Sequence, residues 1–200
     1  MRTVTGLFDD YDDASAAVSA LEDAGVPSRD ISIVANNADK RHGADTNAAE
    51  GAGAGAGIGA VVGGAGGLLT GLGLMAIPGV GPVVAAGWLA ATAAGAAGGA
   101  VAGGAAGGII GAMTRSGVSE DDAHVYAEGV RRGGTLVTAR VEDDRVSVAQ
   151  DILKQSNWVD PVQRRTAYQD EGWRRFDDSL APFGPEDVDR ERARYRSTSL

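Results

Sequence analysis

Hydrophobic and polar positions change their rhythm several times along this chain, and each change marks a boundary. Thr3-Val4-Thr5-Gly6-Leu7-Phe8 reads as a strand. Asp12 and Asp13 then open a helix, with carboxylates at the positive end of its dipole. Ala14, Ala17, Val18 and Leu21 follow at helical spacing, and Gly25 with Pro27 ends the element. Ile31-Ser32-Ile33-Val34 is a second strand, so residues 1–35 form a β-α-β unit, with a polar linker at 36–50. Further on, Ser119 caps a helix whose apolar face is Ala123, Tyr126, Ala127 and Val130, ended by Gly133-Gly134. Thr135-Leu136-Val137-Thr138-Ala139-Arg140-Val141 is a strand. The stretch 144–155 is a helix burying Val148, Ile152 and Leu153. Trp158-Val159-Asp160-Pro161-Val162 reads as a short edge strand, where proline is tolerated. With the helix that opens at Ser119 set aside, the order is β-α-β twice. It predicts an α+β, ferredoxin-like fold split between 1–35 and 115–163, a four-stranded antiparallel sheet with two helices on one face. A polar tail, 164–200, holds a short helix opening at Pro185.

Between the halves the rhythm vanishes. The window 51–114 has no ionisable side chain and holds 22 of the 31 glycines. Ile77-Pro78-Gly79-Val80-Gly81-Pro82 reads as a turn, which predicts a helical hairpin with arms at 51–76 and 83–113. Gly51, Gly55, Gly59, Gly63, Gly67 and Gly71 recur every fourth residue in the first arm, and Gly95, Gly99, Gly103, Gly107 and Gly111 in the second. Residues four apart share a helix face, so each arm presents a stripe without side chains. That is the small-xxx-small packing device of membrane helices, a glycine zipper for self-association. A flexible linker is the competing reading. Against it, Leu68, Leu69, Leu72, Leu74, Met75, Ile77, Trp88 and Leu89 concentrate apolar bulk around the turn and make it an apolar hairpin tip.

Two settings fit such a hairpin. It enters membrane lipid with its tip leading, both flanks on the cytoplasmic side. Or it is buried among copies of itself in a soluble cytoplasmic assembly. Both predict a homo-oligomer. No signal peptide precedes the first strand, and Lys40, Arg41 and Arg115 around the window agree with cytoplasmic flanks.

Charge and chemistry narrow the function classes. The 200 residues carry a net charge of −9, which argues against nucleic acid as a partner. With no cysteine, disulfides, thiolate catalysis and cysteine-bound metal are excluded. Only His42 and His124 are present, one in a polar loop and one on a helix face, so neither predicts a metal site. Asp9, Asp10, Asp12 and Asp13 lack the spacing of a calcium loop. Gly71-Leu72-Gly73-Leu74-Met75-Ala76 has the form of a dinucleotide fingerprint but no acidic residue beyond it until Glu120. No nucleophile, base and orienting group come together, so no catalytic residue, cofactor or metal is expected and the protein is read as non-enzymatic. A small-molecule ligand on the sheet face of the α/β domain is a further reading, its ligand unknown.

Thr5-Gly6-Leu7-Phe8-Asp9-Asp10, then Ala24-Gly25-Val26-Pro27 and Asp30-Ile31-Ser32-Ile33-Val34, resemble the N-terminal module of bacterial heat-induced general stress proteins of YflT type. Gly117-Val118-Ser119-Glu120, Tyr126 and Gly133-Gly134-Thr135-Leu136-Val137 resemble the second half of the glycine-zipper-containing members, and Trp173 with Phe176-Asp177 resembles their tail. The resemblance implies a bacterial, stress-associated, membrane-linked protein without known catalysis, and supplies no catalytic residues.

Overall fold

The computed structural model describes residues 1–40, 73–77, 79–92 and 108–196, the side chains of Met75 and Arg196 excepted. Five strands form one antiparallel sheet: β1 (Arg2–Phe8), β2 (Ile31–Asn36), β3 (Gly73–Ile77), β4 (Gly81–Gly87) and β5 (Thr135–Val141), in the order β1-β5-β2-β4-β3. The helices are α1 (Tyr11–Asp23), α2 (Ile109–Arg115), α3 (Glu120–Arg131), α4 (Val146–Gln155), α5 (Pro161–Asp170) and α6 (Pro185–Arg196).

Local signals explain most of these elements. The Ser119 hydroxyl accepts from the Asp122 N–H at 3.1 Å and starts α3. Asp160 accepts from the amides of Val162 and Gln163 and, with Pro161 at the first helical position, starts α5. Alternation in β1 sends Val4 and Phe8 to one side of the sheet and Leu7 to the other. On the first side, α1 and α4 cover Ile31, Ile33, Val137, Ala139 and Val141 with Ala14, Val18, Leu21, Ala149 and Leu153. On the second, α2 and α3 cover Val34, Val83, Ala85 and Leu136 with Ile109, Met113, Ala123, Ala127 and Val130. β2 is covered on both faces, and all six of its residues are buried.

Three polar contacts tie the layers. Asn36 Nδ2 donates to the carbonyls of Val130 at 2.9 Å and Arg131 at 3.3 Å, satisfying the end of α3 from the end of β2. Ser32 Oγ donates to the Ala86 carbonyl at 2.6 Å. Arg140 donates to Asp30 at 2.9 Å and lies 4.9 Å from the Trp88 ring. α3 crosses β1 so closely that a Cβ at Gly129 would stand 2.5 Å from Leu7 Cδ2.

The structure departs from expectation in the middle of the window. The turn at Gly79 is present, closed by the Val80 N–H donating to the Ile77 carbonyl at 3.0 Å, with Gly79 at φ +73°. Its arms there are strands, not helices. β3 pairs with β4, and β4 pairs with β2 from Ser32↔Gly87 to Asn36↔Val83. Val80, Val83 and Val84 are β-branched and fit a pleated surface. The apolar bulk at this turn belongs to the core of the sheet: Ile77, Val80, Val83 and Leu89 are buried. Of the remaining tip residues, Leu74 is 56% exposed, Trp88 packs partly against the core, and Met75 lies on β3. Leu68, Leu69 and Leu72 lie outside the described residues, as do Gly51, Gly55, Gly59, Gly63, Gly67, Gly71, Gly95, Gly99, Gly103 and Gly107. Gly111 lies on α2, where a Cβ would meet Arg115 Nη1 at 3.2 Å. Two smaller corrections concern the second half. The expected edge strand at 158–162 reduces to one bridge, Leu7↔Val159, because Asp160-Pro161 is a helix start. Val148, expected inside, is 51% exposed.

Two glycines with similar φ separate backbone strain from crowding. At Gly87 (φ +89°) an added Cβ would stand 2.2 Å from the Ile31 carbonyl oxygen, whereas Gly117 (φ +93°) has open space. Gly117→Ala is expected to lower unfolding free energy by about 1–2 kcal/mol through backbone conformation alone. Gly87→Ala is expected to cost roughly 3 kcal/mol or more, because β2 and β4 must separate. Urea unfolding of both variants measures the difference.

Candidate functional site

The most elaborate constellation in the described residues lies where the C-terminal segment returns over α3 and the β3–β4 turn. α3 carries Glu128 and Arg131, Arg132 caps its C-terminal end, and Glu128 is 1% exposed. A carboxylate so buried is stable only when its oxygens are engaged by cations or donors. Arg132 Nε donates to Glu128 Oε1 at 2.7 Å and Arg131 Nη1 to Oε2 at 3.3 Å. The same Arg132 reaches Glu171 at 2.6 Å and Glu191 at 3.2 Å, and its guanidinium stacks 4.2 Å from the Tyr168 ring. One arginine thus joins α3, the end of α5 and α6.

The rest of the segment 171–184, which we term the strap, follows from that anchor. Arg131 Nη2 donates to the Ala181 carbonyl at 3.1 Å and lies 5.1 Å from the Phe183 ring. Phe176 is buried in the core, as are Tyr168 of α5 and Val188 of α6. Backbone meets backbone at the β3–β4 turn: a Cβ at Gly79 would stand 2.5 Å from Asp178 Cα, and one at Gly81 2.8 Å from Pro182 Cβ. α6 is held by Arg192, which donates to Asp39 at 2.5 Å and to the Gly133 carbonyl at 3.0 Å. α5 is held by Arg164, which grips Asp9 through two bonds of 2.8 Å and lies 3.6 Å from the Tyr195 ring. Asp9, read from sequence as part of an acidic run, is therefore the seat of a paired cation.

His124 joins α3 to the strap. It is 7% exposed, and its Nε2 accepts from Arg175 Nε at 2.7 Å. Arg175 also donates to Glu120 at 2.5 Å. Burial, then the positive charge of Arg175, hold the imidazole pKa below its ordinary value of 6.5, opposed by Glu120 and Asp121 on the same helix. Arg174 of the strap and Arg165 and Gln169 of α5 complete the surroundings. Among the described residues no group of three or more His, Asp or Glu could hold a metal ion. Sequence reasoning found neither the arginine network nor the strap. The Glu128, Arg131 and Arg132 spacing was a readable local signal, while their partners on α5 and α6 were not.

Residues 3–79 match the family model described as heat induced stress protein YflT domain. The resemblance read from Thr5 to Val34 holds over this stretch, which runs from β1 to the β3–β4 turn. No curated protein and no solved structure matches the chain.

Two outcomes are expected from this site. Arg132→Ala leaves Glu128 buried with its best partner gone and lowers stability by about 3–5 kcal/mol, with faster proteolysis between α5 and α6. Arg132→Lys does not restore the forked contacts. Second, His124 is neutral in the fold and takes up a proton more readily when unfolded. Unfolding free energy therefore falls as pH drops below about 7 through 6.5. His124→Gln, which keeps an acceptor and does not titrate, flattens that slope in denaturation at pH 7.5 and 5.5.

Proposed function

We propose, from the premise that residues 3–79 carry a heat-induced stress protein YflT domain, that this protein is a stress-associated, non-enzymatic structural protein that self-associates through its glycine-rich stretches. The observation that carries this reading is the way the uncharged window is held. Its centre is built into the sheet and pressed under the strap. Residues 41–72 and 93–107 are each flanked in the chain by residues of the module. Every glycine of the two ladders except Gly111 lies in those stretches. Small residues at four-residue spacing suit close main-chain contact between copies.

We read the base as a ferredoxin-like split domain. β1 and β2 run parallel with β5 between them, α1 connects the first pair, and α4 returns the chain to the outer edge of β1 at Val159. β3, β4, α2 and α3 are additions to that plan. No helix among the described residues is long and apolar enough to cross a membrane, and Ile77 and Leu89, assigned from sequence to a lipid-seeking tip, lie in the protein core. The burial of Ile77 and Leu89 favours contact between copies over contact with lipid.

Sedimentation and liposome flotation of the full chain test this reading. The expected result is a large lipid-free particle that does not float. Gly99→Leu should reduce the mass of the particle and Ala97→Leu should change it little. Equal behaviour of the two variants, or a monomeric parent protein, would overturn it.

A further inference from the structure

A pocket of about 410 Å³ opens between the first turns of α3, the end of α5 and the strap. Its wall carries Arg165, Arg174 and Arg175 together with His124 and Trp173. In a chain of net charge −9, three guanidinium groups around one cavity need a physical account. Salt bridges supply part of it, since Arg165 pairs with Asp122 at 2.6 Å and Arg175 with Glu120 at 2.5 Å. Arg174 is exposed and has no carboxylate partner among the described residues.

The donors behind the guanidinium groups are more telling. His124 Nδ1 and Trp173 Nε1 are both buried and have no acceptor among the described residues. Because His124 Nε2 accepts from Arg175, Nδ1 is the nitrogen that carries the proton in the neutral ring. A buried N–H left without an acceptor costs about 1–3 kcal/mol, and here both belong to residues that line the pocket. The pocket also lies against the first turn of α3, a helix of 12 residues whose N-terminal end is electropositive. The first turn of α3 also carries Glu120, Asp121 and Asp122, equal in number to the guanidinium groups, and Arg165 and Arg175 are taken up by two of them. Glu120 is occupied by Arg175, and Asp121 remains to accept a hydroxyl.

The geometry points to a binding site for a small molecule bearing a phosphate or carboxylate group. Arg174, His124 Nδ1 and Trp173 Nε1 take the oxyanion, and Asp121 accepts from a hydroxyl of the same molecule. The pocket lies outside the glycine-rich window, so its occupancy and the state of assembly are measured separately. Calorimetric titration of the full chain with inorganic phosphate and with acetate, each against sodium chloride at equal ionic strength, tests the site. Saturable heat with either oxyanion and none with chloride is expected, and the stronger of the two identifies the group. Arg174→Ala should weaken binding at least tenfold with an unchanged melting temperature in the absence of oxyanion. Trp173→Phe, which keeps the ring against Tyr168 and removes the N–H, should weaken it several-fold. Binding no stronger than chloride, or binding unaffected in Arg174→Ala, would overturn the assignment.

Discussion

The pairing of β5 with both β1 and β2 is the constraint on which the rest of the molecule depends. β1 and β2 run in the same direction and do not touch, and only an antiparallel strand between them closes the sheet. That strand begins at Thr135, about a hundred residues after β2 ends, with the whole glycine-rich window lying between. Loop-closure entropy grows only slowly with length, so the fold carries a long insertion here at modest cost. The stretch that matches the stress-protein family, 3–79, does not include β5. It cannot complete its own sheet, and the second half of the chain is part of the same folding unit.

Once β5 is in place, the two faces acquire different characters. The face under α1 and α4 is apolar and built from neighbouring elements of the two β-α units. The opposite face carries α3, and α3 brings a buried carboxylate with it. Glu128 obliges two arginines to stay beside it. Those arginines have donors left over after satisfying it, and the surplus recruits Glu171, Glu191 and the Ala181 carbonyl from the tail. Breaking such a network exposes uncompensated charge, which gives the tail one seat rather than several.

Elements with a local code were legible in the sequence. Ser119 caps the helix predicted there, Gly25 with Pro27 ends α1, and β1, β2 and β5 lie where strands were read. The β3–β4 pair was not legible, because a chain of glycine, alanine and valine without charges shows no polar face. Four-residue glycine spacing and a strand meeting two covered faces look alike in such a segment. Proline misled in the other direction: Asp160-Pro161 was read as the end of an edge strand, and its capping chemistry makes it the start of α5. For the site, spacing within α3 was visible and the tail partners were not. Arg132 meets residues 39 and 59 positions away, and nothing local encodes such distances. Tyr168 and Phe176 of this C-terminal part are buried within the chain.

The contact between the strap and the β3–β4 turn also sets an order on biosynthesis. Asp178 and Pro182 leave the ribosome about a hundred residues after Gly79 and Gly81, an interval on the order of ten seconds at ordinary elongation rates. Throughout that interval the turn has no cover from its own chain. Every nascent copy therefore passes through a stage in which this turn lacks the strap, and emergence of the strap ends it.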